Sequence, residues 1–293
     1  MKILIIGGSG LVGQYLLREF RELGEVKGTF YNQKQDGLTE LDLAQAKKIE
    51  ELIHGWQPQT ILLAAALTNV DSCEEDETRS YQINVEAPRE VARIVEEINA
   101  QLVYFSTDYV FDGTAGPYRE EATPNPINVY GRHKLAAENF IRGNVRRHLI
   151  IRTGGVYGWE RAGKNFVLQL LHRLRARERA KVFTDQWGTP TYARDLAGTV
   201  RALIELGANG LFHVAGADFV SRLELGQAVV RTFDLESKFL EGVTSAEAVQ
   251  KAKRPLRGGL RTEKLAATTG KSAPKLAESL AQMRSDAAVL GYT

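Results

Sequence analysis

Lys2-Ile3-Leu4-Ile5-Ile6-Gly7-Gly8-Ser9-Gly10-Leu11-Val12-Gly13 is a short apolar run that breaks abruptly into glycines. Five residues rich in isoleucine, with no polar alternation, predict a strand buried on both faces, as in a parallel sheet. The run is far too short for a signal peptide or a membrane span. Beyond it, Leu16, Leu17, Phe20 and Leu23 fall at helical spacing. Strand, glycine turn and helix in this order are the setting of a dinucleotide fingerprint. Gly7 permits the tight turn, Gly10 lets backbone approach a pyrophosphate, and Gly13 lets helix and strand pack closely. The anion belongs at the helix N-terminus, where free amides and the helix dipole favour it.

Outward from this unit the same alternation continues. Strands are predicted near 2–6, 26–31, 60–65, 101–106, 148–152 and 211–214. Helices are predicted near 11–23, 44–55, 82–99, 129–142, 164–178, 192–206, 222–233 and 244–251. The expectation is an α/β fold of the Rossmann type, a doubly wound parallel sheet covered on both faces. A turn-rich loop from Gly113 to Asn128, carrying Gly116, Pro117, Pro124 and Pro126, precedes Tyr130 and is expected to cover the substrate.

Composition fits a soluble enzyme. With 293 residues the chain can bury a large core and divide into a main and a smaller domain. A net charge of +2 does not call for nucleic acid. The basic run His172 to Arg179 is interleaved with Leu168, Leu170, Leu171 and Leu174, which reads as a solvated helix face. The single cysteine, Cys73, excludes an internal disulfide and fits a reducing cytoplasm. Five scattered histidines lack ligand spacing, so no metal site is expected.

The chemistry is expected in Tyr130-Gly131-Arg132-His133-Lys134. Positions i and i+4 share a helical face, so the Lys134 ammonium is expected to favour the Tyr130 phenolate and lower a pKa of about 10. A phenol so tuned passes a proton to or from a carbonyl or alcohol oxygen. The spacing alone is weak, and two strand ends strengthen it. Gln101 to Phe105 reads as a buried strand ending in Ser106-Thr107, where a hydroxyl can bond the same substrate oxygen. Ile61-Leu62-Leu63 runs into Ala64, Ala65 and Ala66, small residues that leave room for a cofactor beyond the carboxyl end of the sheet.

Together these residues resemble the extended short-chain dehydrogenase/reductase superfamily, and within it the dTDP-4-dehydrorhamnose reductases. The likeness covers nearly the whole chain. Its markers are the glycines at 7–13, Asp42-Leu43, Ala64–Ala66 with Thr68-Asn69-Val70-Asp71, and Ser106-Thr107-Asp108-Tyr109-Val110-Phe111-Asp112-Gly113. Further on come Asn128-Val129-Tyr130-Gly131 with Lys134 and Glu138, Arg152-Thr153, Asp185-Gln186-Trp187-Gly188-Thr189-Pro190-Thr191, and Arg254-Pro255 through Leu265. The resemblance implies reduction of the 4-keto group of a nucleotide-linked deoxyhexose. In it Tyr130 protonates the developing alkoxide, Thr107 hydrogen-bonds it, and Lys134 also holds the nicotinamide ribose. Leu11, Val12, Asp42, Leu43 and Ala64–Ala66 are implied as cofactor contacts, and Thr68, Val70, Asn165 and Arg254 as substrate contacts. Asn165 reads equally as a helix cap, and Asn84 as a partner near Lys134. The resemblance further implies a nucleotide domain at 1–154, to which 187–210 returns, and a substrate domain from 155–186 and 211–293. A nucleotide-sugar substrate, a cytoplasmic location, no membrane and no nucleic-acid partner follow, and a homodimer is compatible.

One departure bears on the sugar. Relatives often carry tryptophan after Arg-Thr-Ser, whereas here Arg152-Thr153-Gly154-Gly155 removes that wall. Three other readings have different signatures. Dehydratases and epimerases share the cofactor, but dehydratases typically place Asp-Glu after the threonine, and here Asp108 is followed by Tyr109. Epimerising reductases use a cysteine and a histidine near the tyrosine, and Cys73 is not so placed. A non-catalytic relative resembling the β subunit of methionine adenosyltransferase shares the fold, although Thr107, Tyr130 and Lys134 argue for catalysis. For the cofactor, the expected end of the second strand reads Phe30-Tyr31-Asn32-Gln33-Lys34, with no carboxylate before Asp36. A carboxylate would repel a 2′-phosphate, whereas Asn32 and Lys34 can meet one, so NADPH is the expected cofactor, with NADH tolerated.

Overall fold

The computed structural model describes residues 1–247 and 250–292. The strands in chain order begin with β1 (Lys2–Ile6), β2 (Glu25–Phe30), β3 (Leu38–Glu40), β4 (Thr60–Leu63), β5 (Gln101–Thr107) and β6 (His148–Thr153). Short strands β7 (Val156–Tyr157), β8 (Ala180–Phe183), β9 (Trp187–Gly188) and β10 (Thr191–Tyr192) follow, then β11 (Gly210–His213), β12 (Val220–Ser221) and β13 (Leu240–Val243). Seven of these form one parallel sheet in the order β3-β2-β1-β4-β5-β6-β11. This is the doubly wound Rossmann arrangement, with its switch point between β1 and β4, where such sheets open a ligand crevice.

The helices are α1 (Leu11–Phe20), α2 (Ala46–Trp56), α3 (Val70–Glu75), α4 (Glu77–Tyr81), α5 (Ala87–Glu97) and α6 (Val129–Asn144). Then come α7 (Phe166–Arg175), α8 (Ala193–Glu205), α9 (Arg222–Thr232), α10 (Glu263–Thr269) and α11 (Leu276–Val289). Successive strand residues face opposite layers. Ile3, Ile5, Leu62, Val103 and Ile151 join α1 and α8 in one core. Leu4, Ile6, Ile61, Leu63, Leu102 and Ile150 join α2, α5 and α6 in the other.

Most predicted elements lie within a residue or two of those observed. The helix expected at 82–99 differs: Gln82–Glu86 forms a π turn between α4 and α5. The helix expected at 244–251 shows only a 3-10 turn at Ser245–Glu247, and residues 248–249 of that prediction lie outside the described residues. Residues 211–213, grouped on sequence with the smaller domain, belong to β11 at the edge of the central sheet. The apolar residues of α11 reach both the core and Trp159, whose indole donates to the Met283 carbonyl. No helix among the described residues is long and apolar enough to cross a membrane.

The loop 113–128 is pinned, not loose. Tyr118 stacks on Phe111 with ring centroids 4.3 Å apart, and its hydroxyl donates to Asp112. Its backbone pairs with Gly259 and Arg261, while Gly116 and Gly113 bond the backbone of Arg257. The segment thereby ties the C-terminal part of the chain to the carboxyl end of β5.

A Cβ at Gly13 would lie 2.0 Å from the Gly7 carbonyl oxygen and 2.7 Å from the Gly8 Cα, so α1 rests on the turn that precedes it. Helix propensity alone would make Gly13→Ala favourable by about 1 kcal/mol. The backbone collision reverses that sign, and we expect Gly13→Ala to destabilise by about 1–3 kcal/mol in chemical unfolding. Gly143, in α6 with nothing near its missing Cβ, supplies the control: Gly143→Ala should stabilise by about 0.5–1 kcal/mol. Equal signs for the two variants would refute the packing argument.

Candidate active site

Three elements converge at the carboxyl end of β5. Thr107 ends that strand and its hydroxyl accepts from the Tyr109 amide at 3.1 Å, capping a short 3-10 turn. Helix α6 starts nearby because Asn128 accepts from the Gly131 amide at 2.8 Å and Glu74 accepts from the Val129 amide at 2.8 Å. Gly131 lets the two meet, since a Cβ there would lie 2.1 Å from the Tyr109 carbonyl oxygen. Tyr130 lies close enough to Thr107 for that hydroxyl to favour the ionised phenol. Both are buried.

Electrostatics here differ from the sequence expectation. Burial raises the Tyr130 pKa well above its ordinary value, with Asp108 and Cys73 adding to the rise. Lys134 does not offset this: its ammonium turns inward over the Tyr104 ring, 4.1 Å from the centroid. Burial holds Lys134 down at about 7, opposed by Glu138 one turn further along α6. Tyr130 is therefore a protonated phenol at neutral pH, the form an acid requires. Asp108, also buried, has its carboxyl raised by desolvation, with Thr107 and Arg222 opposing the rise.

Beneath the hydroxyl pair lies a buried ion pair that the sequence marked only as family residues. Arg152 of β6 donates to both carboxylate oxygens of Glu138, at 2.6 Å through Nη2 and 3.0 Å through Nε. Ser106, next to Thr107, donates to the same carboxylate. The signal for Glu138 was its spacing, four residues beyond Lys134 and eight beyond Tyr130.

The glycine turn lies across the switch point from these residues. Gly10 is the N-cap of α1 and contributes no side-chain acceptor, so the first helix amides are left to an anion. Gly7 backs directly onto Ala65, and Ala64–Ala66 are half-buried after β4. These features suit a dinucleotide. Leu11 and Val12 start α1. Asn32 and Lys34 are exposed beyond the end of β2. Asp42 accepts from the Ala44 amide at 2.9 Å and Leu43 is in the core, so both have structural work before α2.

Among the expected substrate contacts, Thr68 is exposed and Val70 packs beside Tyr130. Cys73, read on sequence as lying away from the tyrosine, is in fact in the same apolar cluster, fully buried with its thiol donating to the Leu67 carbonyl. Asn165 caps α7, accepting from the Leu168 amide, and its amide donates to Gly158 and Glu160. Arg254 binds both oxygens of Asp71, at 2.6 and 2.8 Å, and this pairing holds the Asp71 carboxyl down at about 2. Asn84 grips the backbone of Leu67, accepting from its amide and donating to its carbonyl at 3.0 Å each. It thus fixes the residue before Thr68 from within the π turn. Gly155 has φ +53°, a backbone that a tryptophan would adopt only with strain. Among the described residues no cluster of metal-ligating side chains occurs.

A doubly wound sheet with a glycine turn at its switch point and a Thr–Tyr–Lys set beside it defines an oxidoreductase of the extended short-chain dehydrogenase/reductase class. Comparison with known proteins narrows this. The family model described as the RmlD substrate binding domain matches residues 1–289, and the chain belongs to that family. It is 30% identical to a probable low-salt glycan biosynthesis reductase, Agl14, of Haloferax volcanii, over 97% of each chain. It is 31% identical to the methionine adenosyltransferase 2 subunit beta of Xenopus tropicalis, over 90% of this chain and 81% of that one. A crystal structure of dTDP-4-dehydrorhamnose reductase from Bacillus anthracis in complex with NADP superposes with a TM-score of 0.90 at 28% identity, covering 97% and 99%.

The buried lysine has a consequence for stability. Its folded pKa lies below the ordinary value of about 10.4, so between the two the unfolded chain binds the extra proton. The burden on the fold is full below about pH 7 and is relieved as pH rises. Denaturant unfolding of the cofactor-free protein from pH 7 to 9.5 should show wild-type stability climbing relative to Lys134→Met, by at most about 1.4 kcal/mol per pH unit. Parallel profiles would show that Lys134 stays charged in the fold.

Proposed function

We propose that this chain is an NADPH-dependent reductase of dTDP-4-dehydro-6-deoxy-L-mannose, converting its 4-keto group to the alcohol of dTDP-L-rhamnose. The reading is carried by the opposed hydroxyls of Thr107 and the protonated Tyr130, buried at the carboxyl end of the sheet. A reduced nicotinamide supplies the hydride. Tyr130 gives its proton to the nascent alkoxide, and Thr107 donates a hydrogen bond to the same oxygen. Lys134 holds the nicotinamide ribose, and a hydrogen bond there would also favour its charged form. Gly7, Gly10 and Gly13 cradle the pyrophosphate on α1, and Asp42, Leu43 and Ala64–Ala66 line the adenine and nicotinamide channel. Thr68 and Val70 border the sugar, on a smaller unit completed by 155–186 and the chain beyond β11. The family likeness and the NADP-bound relative support the reaction class. The methionine adenosyltransferase relatives favour a second reading, a dinucleotide-binding partner subunit, which turnover separates from the first.

Tyr130→Phe removes only the phenolic oxygen. It should bind NADPH normally and lose about 100- to 10,000-fold in substrate-dependent NADPH oxidation. Activity within about threefold of wild type would remove Tyr130 from the acid's role. A panel of dTDP-, UDP- and GDP-linked 4-keto sugars should show dTDP preference. Preference for a GDP sugar, or isomerisation without NADPH consumption, would overturn the substrate assignment.

The cofactor follows from the end of β2. The strand stops at Phe30, and the exposed Asn32 and Lys34 precede any carboxylate. Initial rates at matched subsaturating concentrations should favour NADPH over NADH, and Lys34→Ala should weaken NADPH binding. A tenfold advantage for NADH, or unchanged NADPH affinity in the variant, would refute the corresponding part.

A further inference from the structure

Three extended segments lie side by side next to the hydroxyl pair. β9 pairs antiparallel with β12 on one side, and on the other Trp187 bridges to Arg257. Arg222 follows β12 at the start of α9, its amide donating to the Gln186 carbonyl. Ser221 and Glu224 close a capping box around that helix start, so the backbone of Arg222 is fixed.

The arginines here are not equivalent. Arg254 is engaged by both oxygens of Asp71. A Cβ at Gly258 would point to Asp108, at 3.1 Å, so by strand alternation its neighbour Arg257 turns away, and its guanidinium lies over Trp187 and Phe219. Arg222 is left. Its half-buried guanidinium lies 5.0 Å from the centroid of Phe166, the first residue of α7. Its charge acts on both Asp108 and Tyr109, directly beside Thr107. Among the described residues it makes no ion pair, and its side chain donates no hydrogen bond. A guanidinium stacked on an aromatic ring keeps its in-plane donors available for an oxyanion.

We propose that Arg222 binds the diphosphate of the nucleotide-sugar substrate, with Phe166 holding its guanidinium in place. This rests on the reading of the site as a nucleotide-sugar reductase. In such a substrate the diphosphate hangs from the ring carbon opposite the keto carbon. The anion must therefore lie across the sugar ring from Thr107 and Tyr130, and Arg222 is the unengaged cation bordering that space.

Calorimetric binding of dTDP, UDP, GDP and plain thymidine to the full-length protein tests this. Arg222→Met keeps much of the apolar stem and should weaken every nucleoside diphosphate by about 10- to 100-fold. Thymidine and NADP+ should bind as in wild type, and Arg222→Lys should restore part of the loss. In turnover the loss should fall on KM, with kcat nearly unchanged. Diphosphate affinity unchanged in Arg222→Met, or no diphosphate binding to wild type, overturns the inference. A loss in kcat alone does so too, because it would mean that Arg222 serves only Asp108. If NADP+ binding also falls in Arg222→Met, Arg222→Lys decides: recovery of diphosphate binding supports the proposal, and continued loss overturns it. Arg222-dependent diphosphate binding without reduction of any 4-keto sugar would instead overturn the reductase reading and leave this assignment standing.

Discussion

The Glu138 carboxylate is the point through which α6, β5 and β6 are joined at the candidate site. It sits on the same face of α6 as Tyr130 and Lys134, and it takes hydrogen bonds from Arg152 of β6 and Ser106 of β5. Helix and strands are thus locked together directly beneath the hydroxyl pair. Glu138 is fully buried and Arg152 is 1% exposed. A pair so deep gains little net stability over apolar packing, but removing one partner leaves an uncompensated buried charge. Its contribution is therefore geometric: it holds Tyr130 in register with Thr107.

Burial then decides the proton inventory. Tyr130, Asp108 and Lys134 all lie where their charged forms are disfavoured, and each shifts toward neutrality. The two buried carboxyl groups face different partners: Glu138 is paired with Arg152, while Asp108 is influenced by Thr107 and Arg222. The lysine is the one group poised near neutrality. Its charge depends on what lies beside it on α6 and against Tyr104.

The chain's later segments close the cleft by ties that run over long sequence distances. Asp71 of α3 holds Arg254, and Glu75 pairs with Lys251. Asn128, which caps α6, also donates to the Lys253 carbonyl. The turns around 113–118 zip onto 257–261. Loops from distant parts of the chain are thus set against the central sheet. That suits a family whose members share the sheet while their names span glycan reductases and a transferase subunit.

The sequence alone determined the sheet and the glycine turn, and it placed Thr107 at the end of β5 and Tyr130 and Lys134 on α6. Each of these rests on local patterns: apolar runs, helical spacing, and residues a fixed number of positions apart. It also carried the class, through motifs spread over the whole length. Three things were decided only in three dimensions. Lys134 turned inward over Tyr104 because the burial of its helix face, and not the i,i+4 spacing, set its direction. Arg254, read as a substrate contact, is occupied by Asp71, a partner that no sequence spacing reveals, whereas Asn165 takes the helix-cap role that its position also allowed. Arg222 carried no motif at all. It is brought beside Asp108 because β12 pairs with β9, and a cation's availability depends on which charges surround it in space.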